Sequence, residues 1–415
     1  MGELPDDPQA LLEWMSAGVR DVGESYANYL EERASGAGRR YFRSKGHAFF
    51  FLKSVAPTKL ADGAWLHGLL SRWQDPRFSN LIETYLEELG DGDPSKNHVL
   101  LYKKLLLSHG CNAWGDLSDE HFVQGAIQLS MAYNAETFLP EIIGYNLGYE
   151  QLPLHLLITA YELKELKVDP YYFTLHITVD NADSGHARKA VDAVFDAMPH
   201  VGDSAEWYER IRSGYALNFL GTSTLTAIEE FDLDDEIVEI FRGKCEVGQF
   251  MHDHAGSVGG RSMNSWLSDP NSMHELLQAL VNDGWIKRNQ DPLKSRFWSL
   301  IQGKQPRMFG VFSAYEQQII YDWIAGESLN HNVKLGAPSD RETVGGIRDQ
   351  LRHPATFDPS RDSGDFGAEE RELDEMLEQE SQTDTLKFMI ELMSPALHHT
   401  ASGLKATRLF KEIYR

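Results

Sequence analysis

Residues 173–187 read FTLHITVDNADSGHA, and within them His176, Asp180 and Asp183 stand at positions i, i+4 and i+7. Successive side chains on an α-helix are about 100° apart, so these three fall within a sector of about 60° on one face. Two carboxylates and an imidazole that converge in this way favour a cation between them. Oxygen and nitrogen ligands without a thiolate suit iron or manganese better than a structural zinc ion. The spacing therefore predicts a metal site.

A solvated polar face is the alternative interpretation of this segment. The apolar neighbours Leu175, Ile177 and Val179 argue against full exposure. His186 lies about 80° around the same predicted helix from His176. Its imidazole is therefore predicted either to bind the metal as a further ligand or to orient one of the ligands through a hydrogen bond.

Helical spacing of apolar residues dominates the rest of the chain, and strand signals are weak. The pattern predicts a helical bundle over residues 1–255 and a helical extension over 256–335. An acidic stretch over 336–383 is predicted to be a mobile linker, whose carboxylate-rich end, residues 369–380, is either a solvated helix or part of that linker. Residues 384–415 are predicted to form a C-terminal helix that docks. Within the bundle we predict one long, strongly patterned helical stretch from Tyr171 to Ala197.

The composition excludes several classes of partner. The chain has 415 residues, 42% of them hydrophobic, and a formal net charge of −24. Nucleic acids and anionic membranes would repel such a charge, so neither is expected as a partner. Two cysteines, Cys111 and Cys245, without CxxC spacing cannot build a disulfide framework or a thiolate zinc site. We find no signal peptide or membrane span and expect a cytoplasmic location.

Two further segments carry candidate ligands. In YLEELGDGDPSKNH, residues 85–98, Glu88 ends a predicted helix and His98 begins the next, so both can point into one bundle interior. Exposure of both side chains is the alternative. In FLPEIIGYNLGYE, residues 138–150, Glu141 lies in the first turn of a helix. It is predicted either to interact with the helix dipole at that N-terminus or to turn inward, and the sequence leaves both open.

In order and spacing, Glu88 with His98, then Glu141, then His176 with Asp180 resemble the ligands of the heme-oxygenase-like di-iron oxidases, also called iron-containing redox enzymes. The resemblance implies an all-α fold, an up-and-down helical bundle related to heme oxygenase, here with a C-terminal helical extension. It also implies two Fe(II) ions per chain, O2 as co-substrate and a small-molecule substrate. It leaves an external electron donor and a homodimer open.

The chain departs from this family at two points. Where the family has a histidine three residues after the HxxxD aspartate, this chain has Asp183, so either Asp183 or His186 completes the second iron site. We predict Asp183 as the direct ligand. The family's earliest carboxylate corresponds to Asp62, where glutamate is more usual. Because Gly63 follows, Asp62 is equally consistent with a helix N-cap.

By analogy with the family, the favoured activity is N-oxygenation of a small amine or amino acid. Glu150 is a candidate general base for such a substrate, and Arg261, Arg296 and Arg307 are candidates for binding its carboxylate. Oxidative C–H or C–C cleavage of an amino or fatty acid is the alternative among enzymes. A non-catalytic helical interaction module is a more distant alternative.

Overall fold

The computed structural model describes residues 3–179, 185–251, 257–304, 306–329, 367–379 and 382–415. The regular secondary structure of the described residues is helical, apart from one antiparallel pair of two-residue strands, β1 (Ser257–Val258) and β2 (Arg261–Ser262). The all-α class predicted from the sequence is therefore confirmed. Among the helices in this described part, none combines the length and apolarity that crossing a bilayer requires.

The helix bounds follow the order of the chain. The α-helices of the described residues are α1 (Leu11–Ala34), α2 (Lys45–Ser54), α3 (Ala56–Lys59), α4 (Ser79–Glu88), α5 (His98–His109), α6 (Val123–Ala132), α7 (Leu139–Tyr149), α8 (Leu154–Glu165), α9 (Tyr171–Val179), α10 (His186–Asp196), α11 (Ser204–Ala216), α12 (Thr224–Glu229), α13 (Leu233–Gly243), α14 (Cys245–Gly248), α15 (Met263–Leu267), α16 (Met273–Asn282), α17 (Arg296–Gln302), α18 (Ala314–Ala325), α19 (Ala368–Gln379), α20 (Gln382–Leu392) and α21 (Ala401–Tyr414). Short 3-10 helices occur at Pro8–Ala10, Ala64–Arg72, Pro76–Phe78, Gly90–Gly92, Asp119–Phe122, Leu217–Phe219, Pro270–Ser272 and Pro292–Lys294.

Helices α7 and α11 approach each other closely through two glycines. A Cβ atom on Gly144 would collide with the carbonyl oxygen of Ile211, and one on Gly214 would collide with that of Glu141. Only a residue without a Cβ atom allows this backbone contact. The contact sets the position of α7, which ends at Tyr149.

The chain divides into two compact units. The first unit comprises Met1–Arg43, Phe51–Glu229 and Ala368–Arg415, and the second comprises Ser44–Phe50 and Glu230–Gly367. These boundaries differ from the predicted ones within the bundle, at Ser44–Phe50, and at its C-terminal end.

The predicted bundle over 1–255 ends earlier than expected, at Glu229. Helix α13 packs within the second unit, where the ring of Phe241 lies 5.8 Å from that of Phe297 and 5.9 Å from that of Phe312. The apolar spacing of α13 predicted the helix but not its partners, and these ring contacts assign it to the unit predicted as an extension.

A short segment before position 51 also belongs to the second unit. The Gly46 N–H donates a hydrogen bond to Asp322 Oδ2 at 2.6 Å, and a Cβ atom on residue 46 would lie 2.6 Å from the same oxygen. The ring of His47 stacks on Phe231 with centroids 4.5 Å apart. Burial raises the pKa of Asp322. A side chain at position 46 would therefore displace the carboxylate of Asp322 from this contact.

The C-terminal segment predicted over 384–415 packs within the first unit. The side chain of Phe410 on α21 is 1% exposed, and its ring meets that of Trp73 edge-on with centroids 6.1 Å apart. The hydroxyl of Tyr85 on α4 donates to the carbonyl oxygen of Met393 at 2.5 Å. This segment is thus part of the core that the bundle helices form.

The acidic stretch predicted as a linker over 336–383 is partly helical. Residues Ala368–Gln379 form α19, in which Leu373 is buried. Of the two predictions for residues 369–380, a solvated helix and a mobile linker, the described residues show the helix, and α19 belongs to the first unit. Positions 336–366, 380 and 381 lie outside the described residues.

The long patterned stretch predicted from Tyr171 to Ala197 contains two helices. Helix α9 ends at Val179 and α10 begins at His186, while positions 180–184 lie outside the described residues. His176 and His186 therefore lie on different helices, and an angle worked out for one continuous helix does not apply to them.

Phe410→Ala is expected to lower the free energy of unfolding of the first unit by about 3–5 kcal/mol, because it removes a fully buried ring from α21. The matched control on the same helix is Ile413→Ala, whose side chain is 44% exposed and whose loss should cost about 1 kcal/mol or less. Urea unfolding followed by circular dichroism measures both. Equal losses in the two variants would contradict the docking of α21.

Candidate metal centre

A left-handed turn sets the spacing between Glu88 and His98. Gly90, Asp91 and Gly92 have φ values of 65°, 55° and 79°, a conformation that glycine adopts without steric cost. The turn reverses the chain so that His98 Nδ1 lies 2.5 Å from Glu88 Oε2, and both side chains are buried. The carboxylate and the imidazole predicted to share one interior therefore do so.

Asn97 fixes the start of α5 beside His98. Its side-chain oxygen accepts a hydrogen bond from the Leu100 N–H at 2.9 Å, which makes it the N-cap. Its amide nitrogen donates to Leu89 O at 3.2 Å and to His398 Nδ1 at 3.0 Å. Burial lowers the pKa of His398 to about 3, so this imidazole is neutral and can accept the bond. His398, in the C-terminal segment, thus stabilises the turn through its hydrogen bond with Asn97.

Asp62 is 2% exposed and lies beside Glu88. Gly63 has a φ of 77°, and a Cβ atom there would lie 2.8 Å from the Cβ of Glu88. The hydroxyls of Tyr149 and Tyr172 donate to Asp62 Oδ1 at 2.7 Å and Oδ2 at 2.5 Å. The 3-10 helix that follows Gly63 has no side-chain cap. The N-cap interpretation of Asp62 is therefore wrong.

His176 lies on α9 and faces Asp62. Its Nδ1 donates to the carbonyl oxygen of Tyr172 at 2.8 Å, and its Nε2 lies 3.1 Å from Asp62 Oδ2. Burial by itself lowers the pKa of His176, but Asp62 outweighs it and raises that pKa to about 9. Burial by itself raises the pKa of Asp62, but Lys59 and His176 hold it well below its ordinary value. The pair is thus electrostatically complementary.

Four ligand-type side chains meet at this point, and we call them group A: Asp62, Glu88, His98 and His176. One nitrogen or oxygen atom from each lies within 4.8 Å of those of the other three, and all four residues are buried. The rings of His98 and His176 have centroids 4.2 Å apart. Group A contains four of the residues that the sequence singled out.

A second set, group B, consists of Glu88, Glu150 and His186, all buried. His186 Nδ1 lies 3.0 Å from Glu150 Oε2 and 3.4 Å from Glu88 Oε1. Glu150 directly follows α7, and His186 begins α10. Glu88 therefore belongs to both groups.

Glu87 contacts the other nitrogen of the His186 ring, and the sequence analysis did not identify this residue. Its Oε2 lies 2.8 Å from His186 Nε2, and its Oε1 accepts from Lys189 Nζ at 2.8 Å. Burial raises the pKa of Glu87, but His186 and Lys189 outweigh it and lower that pKa to about 2. An ionised Glu87 that accepts from Nε2 leaves Nδ1 of His186 to face group B. The adjacency of Glu87 and Glu88 was the signal available in the sequence.

The donor atoms of the two groups fit iron. Carboxylates crowded into a buried space repel one another, and a cation between them relieves this repulsion. Oxygen and nitrogen donors without a thiolate suit iron, and the two cysteines of the chain, Cys111 and Cys245, belong to neither group. Because Glu88 is common to both groups, its carboxylate would be available to an ion held by either group.

A cavity of about 500 Å³ within the first unit opens on both groups. Its lining includes Glu88 and His176 of group A and Glu150 of group B. Much of the remaining lining is apolar, and it includes Phe219 and Leu225, whose side chains are 62% and 46% exposed. The cavity therefore connects the candidate metal ligands with an apolar rim.

Glu141 lies apart from both groups. Arg210 donates to its two carboxylate oxygens at 2.8 Å and 2.7 Å. Of the two interpretations left open by the sequence, the structure supports the one in which Glu141 stays in the first turn of α7. This pairing corrects its assignment as a ligand. Glu150, which the sequence suggested as a general base, stands in group B instead.

Asp180 and Asp183 lie outside the described residues. Their assignment as ligands therefore stays a prediction. His186, the alternative to Asp183, lies directly in group B.

The three arginines suggested for a substrate carboxylate belong to the second unit and do not line this cavity. Arg261 stacks on Trp266 with its guanidinium 4.5 Å from the ring centroid, and Arg296 stacks on Trp285 at 4.2 Å. Arg307 is exposed. The ring contacts hold Arg261 and Arg296 within their own unit.

Residues 50–218 match the sequence model of a family described as iron-containing redox enzyme. This segment contains every member of groups A and B. No curated protein and no solved structure matches the chain. The family resemblance inferred from the spacing of the candidate ligands is therefore confirmed for this segment, and with it the helical, heme-oxygenase-like fold class.

His98→Ala and His176→Ala are each expected to remove the binding of one Fe(II) ion, because each deletes an imidazole of group A. Glu141→Gln is the control and should keep the wild-type iron content, because Glu141 pairs with Arg210. Iron analysis after anaerobic Fe(II) loading, with circular dichroism to check the fold, measures all three. Full iron content in His98→Ala, or lost iron in Glu141→Gln, would refute the assignment of group A.

Glu87→Gln is expected to weaken Fe(II) binding at group B by about 10–100-fold, because the ring of His186 loses its charged acceptor. Glu83→Gln is the matched control, since Glu83 pairs with the same Lys189. Competition for Fe(II) with a chelator measures both affinities. If the two variants lose affinity equally, Glu87 acts only through surface charge.

Proposed function

Because residues 50–218 belong to the iron-containing redox enzyme family, we propose that this protein is a non-heme di-iron oxidoreductase that uses O2 to oxidise a small organic molecule. The observation that carries the proposal is the position of Glu88, which belongs to both group A and group B. Helical bundles that hold two iron ions collect carboxylates and histidines from several helices in this way. A mononuclear site would not need the second group.

In this proposal Asp62, His98 and His176 of group A would hold one ion, and Glu150 and His186 of group B would hold the other. Glu88, which belongs to both groups, would contribute its carboxylate to both ions. Glu150 is then a ligand and not the general base that the sequence suggested. His186 on α10 would then be the direct ligand, the role predicted above for Asp183.

When bound, the two ferrous ions supply the electrons that activate O2. The protein residues position the ligands and limit the access of water. The hydroxyls of Tyr149 and Tyr172 donate to Asp62 and fix the orientation of its carboxylate. Val55 and Leu156 line the cavity and are themselves buried, so they present an apolar wall near the ligands.

The cavity favours an acidic substrate over the amine that the sequence suggested. Among the described residues that line it, Lys59 is the one lysine or arginine. The carboxylates of Glu88 and Glu150 would be neutralised by metal, so a cationic amine would meet a net positive wall. It would also have to lose its proton without Glu150 as a base. We therefore place oxidative C–H or C–C cleavage of a carboxylic acid ahead of N-oxygenation of an amine.

The test is anaerobic loading with Fe(II), followed by exposure to O2. About two iron ions per chain are expected, with rapid O2 consumption coupled to iron oxidation. Glu88→Ala should lose both ions. The control variant Glu141→Gln, which changes a carboxylate paired with Arg210 outside both groups, should behave like the wild type. One ion or none in the wild type, or bound heme, would overturn the proposal.

A further inference from the structure

Lys59 and Ser54 line the cavity but belong to neither metal-ligand group. Ser54 ends α2 and Lys59 ends α3, one short helix further along the chain. Both therefore stand on the same stretch of backbone that forms one wall of the cavity. Their side chains offer hydrogen-bond donors that the candidate metal centre does not use.

The ammonium group of Lys59 is held in place from one side. Its Nζ donates to the hydroxyl of Tyr149 at 3.1 Å and lies 5.2 Å and 5.9 Å from the ring centroids of Tyr149 and Tyr172. An ammonium carries three N–H donors. Within the part of the chain that the structure describes, Lys59 forms no ion pair with a carboxylate. Two of its donors are therefore available to a ligand in the cavity.

The hydroxyl of Ser54 is buried without a hydrogen-bond partner among the described residues. Its side chain is 2% exposed, and Oγ is fully shielded from solvent. A buried polar atom normally has a partner, because leaving it unsatisfied costs free energy. Because Ser54 lines the cavity, rotation about its χ1 bond would turn Oγ towards a ligand oxygen there, which would provide the missing acceptor.

The rest of the cavity indicates what the ligand carries besides its anionic group. The rim residues Phe219 and Leu225 are large, apolar and exposed, and exposed apolar side chains beside a cavity are typical of a site for an apolar ligand. One ammonium and one hydroxyl match the single charge of a carboxylate better than a doubly charged phosphate, which usually requires more donors.

We propose that Lys59 and Ser54 form a binding site for the carboxylate of a substrate whose apolar body lies towards Phe219 and Leu225. The inference rests on the proposed function in one respect, namely that the cavity is the substrate site. It goes beyond that function by assigning the recognition of the acidic group to two specific side chains.

The experiment measures the binding of three probes of equal chain length, octanoate, octan-1-ol and octylamine, by isothermal titration calorimetry. The full-length protein is used, with and without Fe(II), and without O2. Wild-type protein is expected to bind octanoate at least about tenfold more tightly than the alcohol, with octylamine weakest. Lys59→Met should weaken octanoate binding by about 10–100-fold and change octan-1-ol binding little, because a charge-assisted hydrogen bond is lost.

Two further variants complete the series. Ser54→Ala should weaken octanoate binding by about 3–10-fold, because it removes one neutral donor without the charge. Lys104→Met removes the same charge from an exposed position on α5 and should leave all three affinities unchanged. Ser54→Ala keeps the inference testable if Lys59→Met does not fold.

Several outcomes would overturn the inference. They are equal binding of octanoate and octan-1-ol, tighter binding of octylamine, and an unchanged octanoate preference in Lys59→Met. If Lys59→Met loses iron but keeps that preference, the lysine serves only to offset the charge of Asp62, and the inference is again wrong. Selective octanoate binding by a protein that takes up no iron would instead refute the proposed function and leave the carboxylate site standing.

Discussion

Mutual repulsion among the carboxylates of Asp62, Glu88 and Glu150, which are 2%, 3% and 3% exposed, has to be offset inside the first unit. Burying like charges together costs several kcal/mol per charge unless cations or hydrogen-bond donors lie beside them. The chain supplies imidazoles from α5, α9 and α10, together with the hydroxyls of Tyr149 and Tyr172. The helices that carry these donors must converge on one point, and the arrangement of the first unit follows from that requirement.

The sequence was sufficient for the fold class, the family and the residues that meet in group A. Regular apolar spacing predicts helices because it reflects a local geometry, and the apolar neighbours of His176 indicate that this imidazole is buried. Asp62 required the resemblance, because its local sequence fitted an N-cap equally well. The choice between its two interpretations depended on Tyr149 and Tyr172, which lie far from it along the chain.

The remaining assignments depended on contacts between distant segments. Glu141 and Glu150 lie about 180° apart around the axis of α7, and both have apolar neighbours, so only the position of Arg210 on α11 shows which one faces outward. Glu87 and Glu88 are adjacent, and their different roles follow from the position of His186 on α10. No periodic pattern within one segment contains this information.

The packing of α21 against the turn between Glu88 and His98 affects the order of events during synthesis. Arg408 donates to the carbonyl oxygen of Gly92 across 316 positions of sequence, and a Cβ atom at position 92 would collide with the carbonyl oxygen of Leu404. At about 5–20 residues per second, the turn emerges from the ribosome roughly 15–60 s before this helix. The nascent chain therefore carries Glu88 and His98 before the helix that covers the turn between them exists. The turn can reach its final packing only after α21 has been translated.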